Sequence, residues 1–224
     1  HDLNEESDIE IAALFISCFS YGKVEHINSF VRRFADRIGN DWHEFTLNFS
    51  EQKDKKYFSD LYHRFNSSDD ISNLLRSMSS GLNSHGSLRR LFLSGLKDED
   101  VNVVNALDRF SSALCASDAP KSYRYLLPLP SKGSACKRLN LFMRWMVRND
   151  DIDTGCWKEV GTRRLIMPVD THVYNVSRGL GLAERKSCDM KFAVMLTESL
   201  KDFDADDPVK YDFALCHVRM DKLF

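Results

Sequence analysis

The chain has 224 residues, enough for one large domain or two small ones sharing a core. Its 43% hydrophobic and 29% charged residues are ordinary for a globular protein, and a net charge of −2 alone argues against a nucleic-acid partner. With 10 Gly and 5 Pro it cannot supply many hairpins, so mostly helix is predicted, and no apolar run is long enough to span a bilayer.

In chain order, Asp8 to Ile16 reads as a buried helix capped near Asp8, broken at Tyr21-Gly22. Val24 to Ile38 is an amphipathic helix with Val24, Ile27, Phe30, Val31, Phe34 and Ile38 on one stripe. Trp42 to Phe65 keeps helical spacing at Phe58, Leu61, Tyr62 and Phe65. Ser68-Asp69-Asp70 caps a helix that is expected to close near Gly81. Two more helices follow, Ser87 to Leu96 and Asp98 to Cys115. The Pro-punctuated turn Leu126 to Ser134 then separates a brief helix from a stronger one, Ala135 to Arg148. Strand-type alternation is absent, so the expected class is all-α.

The cysteines, at 18, 115, 136, 156, 188 and 216, are too dispersed for a C-x-x-C pair or zinc spacing. They offer no disulfide framework, which fits a reducing cytoplasm, and neither metal nor cofactor is expected. The chain opens on His1 rather than Met, which points to a missing natural start.

Charge is unevenly spread. Lys121, Arg124, Lys132, Lys137, Arg138, Arg144 and Arg148 follow one another with no acidic residue between them. Residues 119–186 carry a net +7 and the remainder −9, so a local positive field can sit on a nearly neutral protein. The same pattern also describes a solvated basic helix face.

On the helix from Ala135 to Arg148, Leu139, Phe142, Met143 and Met146 should be core. Lys137, Asn140, Leu141, Arg144 and Arg148 form the opposite, mostly polar stripe. Lys137 therefore stands in a first turn beside Arg138, where helix dipole and guanidinium both disfavour a further positive charge; that favours a nucleophilic amine. A lysine touching phosphate is the other reading. Downstream, Asp170 precedes an amphipathic run, Val173, Val176 and Leu180, and reads as an N-cap. A capping carboxylate stays ionised, as a group that stabilises developing positive charge must.

The segment Val169-Asp170-Thr171-His172-Val173, followed by Arg178-Gly179-Leu180-Gly181-Leu182, resembles the aspartate-bearing segment of helix-hairpin-helix (HhH-GPD) DNA glycosylases. Leu129-Pro130-x-x-Gly133-Ser134-Ala135-Cys136-Lys137 is similar to that superfamily's hairpin, and Lys137 falls where bifunctional members carry their nucleophile. One hairpin glycine is replaced, and Lys137 and Asp170 are further apart than is common, which looks more like the archaeal 8-oxoguanine glycosylase branch. The whole chain also resembles a bacterial family of uncharacterised function, through Asp8 to Ala13, Gly133 to Asn140, Arg144 to Arg148 and Asp207 to Cys216.

The resemblance implies a two-domain helical fold with an active-site cleft between a domain at 8–148, bearing the hairpin and the lysine helix, and one at 149–224 plus 1–7, bearing Asp170. It implies excision of an oxidised purine such as 8-oxoguanine from double-stranded DNA in base excision repair, and a cytoplasmic, nucleoid-associated protein, most simply a monomer, is expected. Lys137 would attack with Asp170 as its carboxylate partner. Lys132, Gly133, Ser134, Arg138, Arg144, Arg148 and His172 would meet DNA, and Tyr21 would fill the gap left by the flipped base. Leu141, Phe142, Trp145 and His217 would line the pocket. No metal or cofactor is implied. A purely hydrolytic glycosylase and a non-catalytic protein that binds DNA structure stay open as alternatives.

Overall fold

The computed structural model describes residue 3 and residues 5–218, and every described element is helical apart from isolated bridges. The helices are α1 (Glu6–Phe19), α2 (Val24–Ile38), α3 (Trp42–Leu47), α4 (Glu51–Asp54), α5 (Ser68–His85), α6 (Leu88–Gly95), α7 (Val104–Leu114), α8 (Lys121–Leu126), α9 (Lys137–Val147), α10 (Thr171–Gly179), α11 (Met190–Lys201) and α12 (Asp212–His217). Single 3-10 turns occupy Lys55–Phe58, Pro130–Lys132, Thr162–Arg164 and Pro208–Tyr211. No helix among the described residues is long and apolar enough to cross a membrane.

The chain forms two compact units, 1–95 with 109–127 and 96–108 with 128–224, so it passes between them three times, once inside α7. This departs from the expected division at residue 148. The lysine-bearing α9 belongs with the Asp170 segment, and the described residues among 1–7 with the first unit. Residues 1, 2, 4 and 219–224 of the expected domains lie outside the described residues. Ion pairs tie Lys137 and Arg144 of α9, and Arg148 at its C-cap, to Asp153, Asp170, Asp207 and Asp212, all later in the chain.

In the first unit, α1 supplies Ile11, Leu14, Phe15, Cys18 and Phe19, all fully buried. Phe15 stacks on Phe34 of α2 at 4.0 Å, and Phe34 meets Phe58 at 5.1 Å. The Glu10 carboxylate is buried yet satisfied, accepting the backbone N–H groups of Leu88 and Arg89 at the start of α6. Ser67 and Asp70 form a capping box on α5, which runs past Gly81 and stops at Gly86. Gly86 takes φ 81°, a conformation that side chains disfavour, whereas Gly81 sits inside the helix where leucine side chains crowd it.

The expected helix from Trp42 to Phe65 is broken into α3, α4 and a 3-10 turn, and then a tight turn in which His63 and Asn66 exchange backbone hydrogen bonds. The expected helix from Asp98 begins only at Val104. Asp100 accepts the Lys97 N–H and the Asn105 side chain, folding 97–100 into a turn instead.

In the second unit, the predicted core stripe of α9 holds. Leu139, Phe142, Met143 and Met146 are fully buried, and Phe142 packs edge-on to Trp157 at 5.1 Å. Burying four such side chains contributes about 1.5–3 kcal/mol each and fixes the rotation of α9.

Candidate active site

The turn before α9 sets the position of its first residue. Gly133 adopts φ 83° after the 3-10 turn, and Ser134 bridges to Asp189, the N-cap of α11. Cys136 then takes a left-handed conformation, φ 49°, rare outside glycine, while its thiol is buried and donates to the Pro128 carbonyl. Burial pushes that thiol up to about 12, so it is a packing group rather than a nucleophile.

Asp170 is the N-cap of α10, its Oδ1 accepting the Val173 N–H at 2.9 Å. Its Oδ2 accepts from Lys137 Nζ, also at 2.9 Å. The two side chains are 37% and 35% exposed, so the pair is reachable from solvent. Burial alone would raise the Asp170 carboxyl. The Lys137 ammonium and the backbone N–H groups of Val173 and His172 outweigh it and hold the group below the ordinary carboxylate range.

Two further groups lie within electrostatic reach. Asp212 opens α12 and is 4% exposed, and burial raises its carboxyl against the charges of Arg144 and Lys137. Cys216 donates its thiol to Asp212 Oδ1 at 3.5 Å. Burial and the charges of Asp212 and Asp170 push Cys216 up to about 12.

The polar stripe read along α9 is corrected beyond Lys137. Asn140 is buried, its side-chain N–H donating to the Ala135 carbonyl. Arg144 is buried between Asp153, at 3.0 Å, and Asp212. Arg148 is buried against Asp207, Asp150 and Asp153. Arg138 is buried too. These guanidiniums are held inside the unit rather than on its surface, where contact with phosphate was expected.

Of the hairpin residues, Lys132 and Gly133 are exposed and Ser134 is half-buried. The N–H groups of Lys132 and Gly133 already donate to the carbonyls of Leu129 and Pro130, so neither points free at an anion. His172 is exposed beside Asp170. Leu141 and Trp145 are half-buried on the lysine helix, whereas Phe142, expected at the pocket, is core. His217 is exposed, its ring tilted against Phe213 at 4.1 Å and bonded to the Phe213 carbonyl.

Tyr21 belongs to the first unit. Its hydroxyl donates to the His63 carbonyl at 3.1 Å and to Asn66 Oδ1, and Asn66 in turn donates to Asp70 and to the Ser122 carbonyl. The tyrosine is therefore the latch of a polar clasp, and filling a gap in DNA would cost it those bonds.

The reading from sequence missed Asp153 and Asp207, the partners that bury the α9 arginines. Asp150 and Asp153, directly after Arg148, were a usable signal. A recess of about 310 Å³ in the second unit, lined by Asp98, Asp100, Arg163, Arg164 and Lys201, includes neither Lys137 nor Asp170.

Among known proteins, the family model described as "Protein of unknown function (DUF2400)" matches residues 1–221. No curated protein and no solved structure matches the chain.

Proposed function

Since the chain belongs to the DUF2400 family, whose description names no activity, its function has to be read from the site, and we propose that it is a DNA glycosylase with AP-lyase activity that excises an oxidised purine such as 8-oxoguanine. One observation carries the reading. Lys137 and Asp170, 33 residues apart in sequence, meet at 2.9 Å with the amine in the first turn of one helix and the carboxylate capping another. An ionised carboxylate beside a solvent-reachable primary amine is the pair that amine-catalysed cleavage of an N-glycosidic bond needs. The choice of base and of duplex DNA comes from the motif resemblance.

In this reading the target nucleotide is extruded to reach the pair. Lys137, relieved of one proton, bonds to the anomeric carbon as the glycosidic electron pair leaves with the base, which is protonated on departure. Asp170 stabilises the positive charge that grows on the sugar. Opening of the sugar ring gives a protonated Schiff base, and removal of a C2′ proton expels the 3′ phosphate. Exposed Lys132 and His172 would face the phosphates, with the charge of Arg178 and Lys186 nearby in sequence.

The closed ion pair favours a second reading, because an ammonium and a carboxylate also stitch two helix ends together with no chemistry at all. That reading makes the protein a non-catalytic binder of DNA structure. Borohydride trapping on duplex carrying 8-oxoguanine separates the two. A covalent adduct that is lost in Lys137→Ala supports the glycosylase. Specific duplex binding with no adduct across a panel of damaged bases supports the binder. Base release that survives in Lys137→Ala and is lost in Asp170→Asn would indicate a purely hydrolytic enzyme.

A further inference from the structure

In the unit that does not hold Lys137, three aromatic rings meet at the surface. Centroids are 5.7 Å apart for Tyr21 and Phe65, 5.1 Å for Tyr21 and Tyr125, and 4.8 Å for Phe65 and Tyr125. Tyr21 is the floor, its hydroxyl held by the clasp with His63 and Asn66. Phe65 and Tyr125 stand out from it, 55% and 42% exposed. A single exposed ring is unremarked in any protein, whereas rings grouped in the open mark a surface that binds.

The turn that carries Phe65 runs against local preference. His63 and Asn66 exchange backbone hydrogen bonds, which leaves Arg64 and Phe65 as its two central residues. Such turns favour Asn and Gly, and Arg64 sits at φ 55°, where side chains are disfavoured. Both residues are exposed, so burial does not offset the strain.

Three cations rim the rings. Arg64 precedes Phe65, and its side chain lies over Gly22, where an added Cβ would come within 3.1 Å of Cδ and Nη1. Lys121, Arg124 and Tyr125 share one face of α8 by their spacing, and all are exposed. The acidic residues flanking the turn are already engaged: Asp60 with Arg33 and Arg37, Asp69 with Lys55, and Asp70 with Asn66 and Ser122. Asp118, three residues before Lys121, sets one negative charge against three positive ones, and Lys23 and Glu25 beyond Gly22 offset each other.

We propose that this face binds a short single-stranded stretch of DNA, with unpaired bases stacking on Phe65 and Tyr125 and phosphates beside Arg64, Lys121 and Arg124. The two ring planes lie at 69°, so each ring takes its own base. Open rings with a cationic rim fit a polyanion that carries flat bases. A proline-rich peptide also docks on aromatic grooves, but its backbone brings no charge for the rim to meet. The choice of DNA over RNA rests on the proposed function; the stacking and the charge do not.

The test is fluorescence anisotropy of a labelled oligothymidylate of about ten nucleotides, titrated with the protein. Phe65→Ala and Tyr125→Ala are each expected to weaken strand binding about tenfold and to leave affinity for undamaged duplex unchanged. Phe65→Trp keeps the affinity for the strand, and Phe65→Leu, equally apolar, does not. Arg64→Gly removes a charge and the strained side chain together. It is expected to reduce the slope of log affinity against log salt by about 0.7, with unfolding stability in urea no lower than wild type. A binding loss in that variant is therefore not a loss of fold. Strand binding indifferent to Phe65→Ala, an equal loss on strand and duplex, or no difference between Phe65→Leu and Phe65→Trp would each overturn the proposal. So would tighter binding of RNA of the same sequence, or of a proline-rich peptide at these rings. The strand carries no damaged base and the assay no chemistry, so a failure of borohydride trapping would bring down the glycosylase reading while strand binding stands.

Discussion

The two ends of α9 use cationic side chains in opposite ways. At its start, Lys137 is about one-third exposed and meets one carboxylate that is equally open. Farther along, Arg144 and Arg148 are at most a tenth exposed and meet Asp150, Asp153, Asp207 and Asp212. A buried charge must keep its partners because desolvation is costly, so the second set is committed to holding the unit together. An open pair costs little to break, so the first set is free to exchange partners, as the proposed function requires. Two positions with one kind of charge on one helix thus serve different ends, and burial decides which.

That contrast can be broken by removing one carboxylate at a time. Asp153→Ala leaves both arginines short of a buried partner and is expected to lower unfolding stability by about 3–5 kcal/mol, read by urea titration. A loss under about 1 kcal/mol would show that the network is wetter than its burial implies. Asp170→Ala removes an N-cap and should cost about 1 kcal/mol in the same assay. Lys137→Ala should cost less again, under about 1 kcal/mol, since the exposed pair contributes little.

The pH dependence of stability should also run in opposite directions. Asp170 is held below its unfolded value, so its contribution is present above the ordinary carboxylate range, about pH 4, and is lost as pH falls through the folded value. Asp212 is raised above its unfolded value, so its contribution is present below about pH 4 and is lost as pH rises toward the folded value. The deficit of Asp170→Asn should therefore shrink on acidification below that range. That of Asp212→Asn should shrink as pH rises above it. Urea titrations of both variants at several pH values check this, and parallel trends would contradict it.

Much of this is legible in the sequence, and the rest is hidden for a physical reason. Leu139, Phe142, Met143 and Met146 announce a core face because apolar periodicity and burial are one signal. Asp170 ahead of an amphipathic run announces a cap, and Lys137 in a first turn is likewise visible. The fate of Arg144 is not, because its partners lie 9 and 68 residues away. Helical spacing cannot separate a face that water covers from a face that distant carboxylates cover. The same blindness places the end of α5 at Gly81 rather than Gly86, since only the backbone angle tells an interior glycine from a capping one. It also runs one helix through residues 98–103, where the Asp100 side chain competes for the backbone and wins.

The most direct measurement is mass spectrometry of peptides from protein reduced with borohydride in the presence of duplex carrying 8-oxoguanine. A sugar-derived mass is expected on the peptide that contains Lys137 and on no other. Modification of a different lysine, or none under conditions where the duplex is bound, would contradict it.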